Sequence, residues 1–218
     1  NGTIPMEKVQ TVAIRENPIA RRLGYATLVI ETAGYAGGGD ASVESAVPIG
    51  KRDRVVELAT AVEPVDSLEV ERPPTRARTR YAVRYTLVVG ALAALAWGAD
   101  LATSAVPQWY WALGLLLLVP PAAHLTWLHR GYAESDDHVV TRAGFWRRET
   151  VVVPYDRVQT VLSTQSIFQR RRDLASVVVD TAGSGGFVGG DAVAIDIDAG
   201  AAERLREDVA DRLQRALV

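Results

Sequence analysis

The sequence predicts an α+β membrane protein in which two copies of a strand-rich unit, each closed by a helix, flank a hairpin of two transmembrane helices. Three observations carry that prediction. The stretch IPMEKVQTV, residues 4–12, returns as VPYDRVQTV at residues 153–161. The most apolar part of the chain, residues 81–128, lies between the two copies. Each copy then runs through short β-branched segments punctuated by turn residues and ends on an amphipathic stripe.

Composition narrows the function classes. The 218 residues leave room for one or two ordinary domains, and a net charge of −2 with a pI near 6.0 argues against the basic surface of a nucleic-acid binder. There is no cysteine, so disulfides, thiolate metal sites and cysteine nucleophiles are excluded. The chain opens at Asn1 without an initiator Met or a signal-peptide pattern, and a fragment of a longer protein is the expectation.

Shifting the chain on itself by 149 residues aligns residues 4–34 with 153–183 without a gap, and 12 of the 31 positions are identical. Two copies make a duplicated domain rather than a solenoid. The first unit, residues 1–64, starts at the motif, turns through NPIARR, continues as a strand to Ala33-Gly34, and closes on a helix carrying Val55, Leu58, Ala59 and Val62. A linker over 65–80 leads to the apolar segment. The second unit, residues 129–218, has an additional N-terminal part, GYAESDDHVVTRAGFWRRETVV, that reads as two or three strands with a turn at Ala143-Gly144. Pro154 suits the first position of a helical turn, Val158–Leu162 resumes a strand, SIFQRRR is a polar turn, and ASVVVDT and AVAIDI are further strands. Leu205, Val209 and Leu213 then share one stripe of a closing helix. The first copy lacks the counterpart of the additional strands, which would leave an open sheet edge in need of cover.

Residues 81–128 accommodate two passes of about 20 residues, each long enough for a ~30 Å hydrocarbon layer. The competing assignment, a buried helical pair in a soluble core, has Asp100, Gln108 and His124 in its favour, but residues 87–99 hold no polar side chain at all. Arg72, Arg76, Arg78 and Arg80 precede the first pass, His129 and Arg130 follow the second, and residues 100–108 contain no Lys or Arg. By the positive-inside rule both units face the cytoplasm of a multi-pass cell-membrane protein. Pro120-Pro121 is expected to kink the second helix.

Strands followed by one closing helix, beside membrane helices, are the pattern of a small barrel or sandwich of pleckstrin-homology (PH) type. IPMEKVQTV followed by NPIARRLGYATLVIETAG resembles the membrane-flanked bacterial PH domain family, whose members pair Ile-Pro-x-x-Lys/Arg-Val/Ile-Gln-Ser/Thr-Val with a downstream run through Pro, Arg, Gly-x-Ala and Thr-Ala-Gly. The second copy departs from it, with Ser166-Ile167 in place of Asn17-Pro18 and Arg172-Asp173 in place of Leu23-Gly24. The resemblance implies seven strands in two packed sheets with a C-terminal helix, and no catalytic activity.

Arg21-Arg22 and Arg170-Arg171-Arg172 occupy equivalent turns, and Arg147-Arg148 lies beside a strand turn. Near a bilayer such guanidinium groups attract anionic headgroups at about 1 kcal/mol each; otherwise they are solvated loop residues balancing nearby carboxylates. Pro5, Gln10, Pro154 and Gln159 recur in the motif and read as structural, the glutamine amides serving the backbone of the adjacent turn. The Gly-rich loops GYAGGGD and GSGGFVGGD lack the context of a P-loop or dinucleotide site. His124, His129 and His138 have no metal-ligand spacing, Asp136-Asp137 points to opposite faces of an extended chain, and Asp100 with His124 is thin evidence for an intramembrane path. No catalytic residue, cofactor or metal is expected. The expected partners are the bilayer, other proteins or further copies of the chain, and, alternatively, anionic lipids.

Overall fold

Val9–Glu16 (β1) and Tyr25–Thr32 (β2) pair antiparallel around a short helix, Pro18–Leu23 (α1). The computed structural model describes residues 9–32, 44–65, 67–103, 108–181 and 192–216. Asn17 caps α1 by accepting the Ala20 N–H at 2.7 Å, Pro18 occupies the first turn where its missing N–H costs nothing, and Gly24 ends the helix at φ 72°. β2 pairs in turn with Glu44–Lys51 (β3), and Arg52–Val62 (α2) closes the copy. Val55 and Ala59 of α2 are buried with Val12, Ile14, Leu28 and Ile30, one face of the β1–β2 pair. Burial of such side chains contributes about 1.5–3 kcal/mol each for the larger ones.

The second copy begins with Gly131–Glu134 (β4), His138–Ala143 (β5) and Arg148–Pro154 (β6), an antiparallel meander. Gly144 turns the β5–β6 hairpin at φ 91°, and a Cβ there would stand 2.0 Å from the Arg147 carbonyl oxygen. Val158–Thr164 (β7), Leu174–Thr181 (β8) and Ala192–Asp198 (β9) form a second, three-stranded sheet, and Ala199–Ala216 (α6) closes the copy. The stretch expected as a polar turn contains a four-residue helix, Ile167–Arg170 (α5), because Ser166 and Gln169 form a reciprocal capping box. Ser166 therefore does in the second copy what Asn17 does in the first. Asp173, at φ 50°, likewise takes the left-handed position of Gly24, which Asp tolerates better than most residues. Pro154 departs from expectation: it is the last residue of β6 and caps the 3-10 turn Tyr155–Arg157 with an extended ψ of 142°. Among the described residues the second copy contributes six strands, where the resemblance implies seven.

The larger sheet joins the two copies. Its order is β3-β2-β1-β6-β5-β4, so β1 lies between its own β2 and β6 of the other copy. The seam is antiparallel, with Val12 opposite Val152, Ala13 opposite Val151 and Arg15 opposite Glu149. The edge that the first copy was expected to leave open is thus paired with a strand of the second. One core follows from that pairing, in which Ala13 and Val29 pack with Val139, Val151 and Val153 and, beyond them, with Val177, Ile197, Leu205 and Val209. Residues 1–73 and 129–218 make one compact unit, and residues 74–128 another.

The second unit is a helical hairpin. Thr75–Thr103 (α3) is followed by a 3-10 stretch, Trp109–Leu118, which passes into Val119–Leu128 (α4). The helix type changes at Val119, directly before Pro120 and Pro121, which fall in the first turn of α4, where a missing N–H costs least. Ala77, Tyr81, Val89 and Ala93, spaced by multiples of four, are the buried face of α3, with Val119 and Ala123 buried on α4. Tyr85 and Thr126 share a hydroxyl hydrogen bond of 2.8 Å across the pair. Leu87, Leu95, Leu101, Trp111 and Leu117 point outward and are exposed. Thr75–Thr103 and the continuous helical stretch Trp109–Leu128 are each long and apolar enough to cross a membrane.

Candidate functional site

Three clusters carry the charged groups that sequence reasoning singled out. The first is the seam itself. Glu16, at the end of β1, is 4 % exposed and accepts hydrogen bonds from Arg148 of β6, through Nε at 2.8 Å and through Nη2, and from Arg52 Nε at 3.2 Å. One position away Arg15 Nε donates to Glu149 Oε1 at 2.6 Å. The two Arg-Glu dipeptides, 15–16 and 148–149, run antiparallel, so each Arg faces the other's Glu. Arg142 extends the network, donating to Thr150 Oγ1 at 3.2 Å and to the Leu68 carbonyl at 2.8 Å, while burial and the nearby Arg148 lower its pKa. His138 Nε2 stands 2.7 Å from Glu63 Oε1, and the backbones of Glu71 and Tyr132 bond each other in both directions. These contacts lace the end of α2 and the chain that follows it onto β4 and β5.

The second cluster gathers α1 and the β5–β6 hairpin tip. The Arg21 guanidinium lies over the Phe145 ring, 5.5 Å from its centroid, and Phe145 meets His129 and Trp146 edge-on at 5.1 and 5.2 Å. Arg21 Nη1 is shielded and has no hydrogen-bond partner among the described residues. Burial, and then the charge of Arg148, lower the Arg21 pKa. Ile19 and Leu23 on α1 are 72 % and 65 % exposed and Trp146 is 75 % exposed, with Arg22 and Arg147 exposed beside them. Arg148, grouped with these residues in the sequence, is instead mostly buried and committed to Glu16.

The third cluster was not foreseen. Asp196, fully buried in β9 at φ 60°, accepts from Gln169 Nε2 at 2.8 Å and lies 3.5 Å from Arg130 Nη1, while its own N–H reaches Ser176 Oγ at 3.3 Å. Gln169 also donates to Ser176 Oγ at 2.8 Å. This node seats α5, which presents Ile167 and Phe168 to solvent together with Arg170 and Arg171, Arg172 being partly buried. The first copy has no such node: Ala20 stands at the place of Gln169, and Thr27, at that of Ser176, bonds the Pro48 carbonyl at 2.6 Å. The Asp-Ile-Asp alternation of β9 read as an ordinary half-buried strand, and only the left-handed Asp196, at a register shift against β8, turns the carboxylate inward.

The motif glutamines have unlike surroundings, Gln10 being buried in β1 and Gln159 exposed on β7. Pro5 lies outside the described residues. In the hairpin, an open groove of about 540 Å³ is lined by Arg78, Thr79, Ala82, Pro120, Pro121 and His124, among others. Asp100 is 18 residues beyond Ala82 on the same helix, about 27 Å along its axis at 1.5 Å per residue, so Asp100 and His124 are not brought together. No group of three or more metal-ligating side chains occurs among the described residues.

The sequence has counterparts among known proteins. A curated relative, the UPF0699 transmembrane protein YdbT of Bacillus subtilis (strain 168), is 26% identical over 182 residues, covering 80% of this chain and 35% of the relative. The chain thus spans about a third of the length of that relative. No solved structure matches. The family model described as Bacterial PH domain matches residues 1–64 and 82–213, nearly the whole sequence. With two strand-rich regions around two apolar helices, the chain is a membrane protein that belongs to the bacterial PH domain family.

Proposed function

We propose that this protein is a non-enzymatic assembly module on the cytoplasmic face of the membrane, in which PH-like units join each other and protein partners through sheet edges. The observation that carries this reading is the β1–β6 seam, where strands more than 130 residues apart are paired and locked by two reciprocal Arg–Glu contacts. Main-chain pairing supplies affinity in such a joint, and the charges supply register and partner choice. The flanking Arg residues support the cytoplasmic orientation. Because these 218 residues contain no cysteine, single-cysteine variants at exposed Gln159 or Glu57 report sidedness directly. A membrane-impermeant maleimide should label them only after the cell membrane is opened. For assembly, residues 1–73 and 74–218 co-expressed as two polypeptides should co-purify from membranes, and Glu16→Arg should abolish it. Separate, stably membrane-bound or soluble halves that never associate would refute the reading.

A second reading, anionic headgroup binding, is favoured by one observation. Around the shielded Nη1 of Arg21, the chain exposes Ile19, Leu23 and Trp146 beside Arg22 and Arg147, an apolar wedge within a cationic rim. An environment-sensitive label at Leu23→Cys, in nanodiscs of neutral and of anionic lipid, separates the readings. A blue shift that grows with anionic content and vanishes in Arg21→Gln/Arg22→Gln/Arg147→Gln supports headgroup binding; an unchanged spectrum removes it.

A further inference from the structure

We propose that the open edge of β7 is a docking edge for a strand of the β6 type, supplied by a further bacterial PH unit. The inference rests on the assembly reading above and names the edge and its occupant. By the 149-residue offset β7 is the counterpart of β1, and both begin Val-Gln-Thr-Val. β1 has a strand on each side, and every residue from Val9 to Ile14 is buried. Among the described residues β7 has β8 as its one strand neighbour, with α6 packed against it, and beyond Val158 its residues are exposed or partly so. The contrast is sharpest at one equivalent pair: Ala13 is 2 % exposed, Leu162 is 53 % exposed.

An unpaired strand edge is ordinarily protected by charge, proline or shortness. The other edges here are so protected. β3 carries Pro48 and Lys51, β4 is four residues long and ends at Glu134, and β9 carries two aspartates and lies against β5. β7, seven residues long, has neither a charge nor a proline. Such an edge is suited to pairing, and β1 shows which strand the position accepts.

The chain's own β6 is already held between β5 and β1, so the occupant is the equivalent strand of another PH unit. Its sequence is constrained as well. Where β1 offers Arg15 and Glu16 to Glu149 and Arg148, β7 continues with Thr164 and, just after it, Gln165. The occupant therefore has neutral residues at those two places, which also disfavours capture of β6 from a second copy of this chain.

The register of the seam makes the test specific. The full chain in nanodiscs, carrying Thr164→Cys or Ser163→Cys, is mixed under mild oxidation with synthetic peptides of residues 146–155. The peptides carry Arg148→Gln with either Glu149→Cys, Glu149→Gln/Thr150→Cys or no cysteine. Opposite neighbours on paired strands alternate between close and wide spacing, so one of the two matched pairs, 164 with 149 or 163 with 150, has the geometry for a disulfide. We expect the better matched pair to form its mixed disulfide about tenfold faster than the mismatched pairs, whose side chains point to opposite faces. Equal rates in all registers, no mixed disulfide, or disulfide-linked dimers of the chain in preference to the peptide adduct would each overturn the proposal. An in-chain pair, Ala13→Cys with Val151→Cys or the adjacent Val12→Cys with Val152→Cys, reports the seam separately. If the seam closes and the peptide fails, the β7 proposal falls while the assembly reading stands; if the seam also fails, both fall.

Discussion

Replacing Glu16 by Gln removes the charge on which Arg148 and Arg52 converge while keeping the shape of the side chain. Glu16 is almost wholly buried, Arg148 is mostly buried and Arg52 is about half open to water. A hydrogen bond to a charged partner contributes about 1.5–3 kcal/mol, and the exposed Arg52 contact about 1 kcal/mol or less because solvent screens it. Since Gln retains one acceptor and Arg148 can recover some hydration, the net loss should be ~2 kcal/mol rather than the 3–5 typical of a fully buried broken pair. For a folded unit of about 150–250 residues that is a fall in Tm of roughly 4–8 °C. Thermal unfolding of the full chain in detergent, followed by tryptophan fluorescence and by hydrogen exchange at β1 and β6, measures it. The exposed Arg54–Glu57 pair is the control, and Glu57→Gln should shift Tm by about 1 °C or less. Glu16→Leu combined with Arg148→Met should recover most of the loss, because a charge is no longer stranded. A Glu16→Gln Tm indistinguishable from that of Glu57→Gln would refute the claim that this carboxylate locks the two copies together.

Asp196→Ala strands Gln169 and leaves Arg130 without this carboxylate, and should cost about 3 kcal/mol, with increased hydrogen exchange concentrated in α5. Asp196→Asn, which keeps an acceptor and tolerates positive φ, should lose less than half of that, and equal losses in the two variants would contradict the role given to the node. Gly144→Ala places a methyl against the Arg147 carbonyl oxygen at a φ of 91°; it should destabilise the β5–β6 hairpin by about 1–3 kcal/mol, read as faster proteolysis at the hairpin tip. Ala123→Leu, within the buried face of α4, should loosen the helical hairpin, and a Tyr85–Thr126 contact unchanged by crosslinking would count against that packing.

Local features were the most legible part of the sequence. The repeat located β1 and β2 against β7 and β8, the β-branched runs located the strands, and the uninterrupted apolar stretch located the hairpin, because each depends on residues within one short window. The capping box was also present in Ser166 and Gln169, although the segment reads as a polar turn when only its charge is weighed. Strand partners were less legible. Val9–Glu16 offers the same alternation whether its neighbour is β2 alone or β6 as well, and the choice depends on which edge another part of the chain leaves free. A signal existed in the two Arg-Glu dipeptides, which are complementary only when antiparallel. The Asp196 node was legible least of all, because a bulged, left-handed residue inside a strand reverses the face that alternation assigns to its side chain.

The claim at the centre of this account is that the PH-like copies that precede and follow the hairpin in the chain share one sheet through β1 and β6. The most direct measurement is in-chain disulfide formation in native membranes by Val12→Cys/Val152→Cys and by Ala13→Cys/Val151→Cys, beside the offset pair Val12→Cys/Val151→Cys. The account predicts rapid closure for at least one matched pair, since adjacent positions of an antiparallel ladder alternate between close and wide spacing, and none for the offset pair, whose side chains face opposite ways. Closure of the offset pair as readily as the matched ones, or of none of the three, would contradict it.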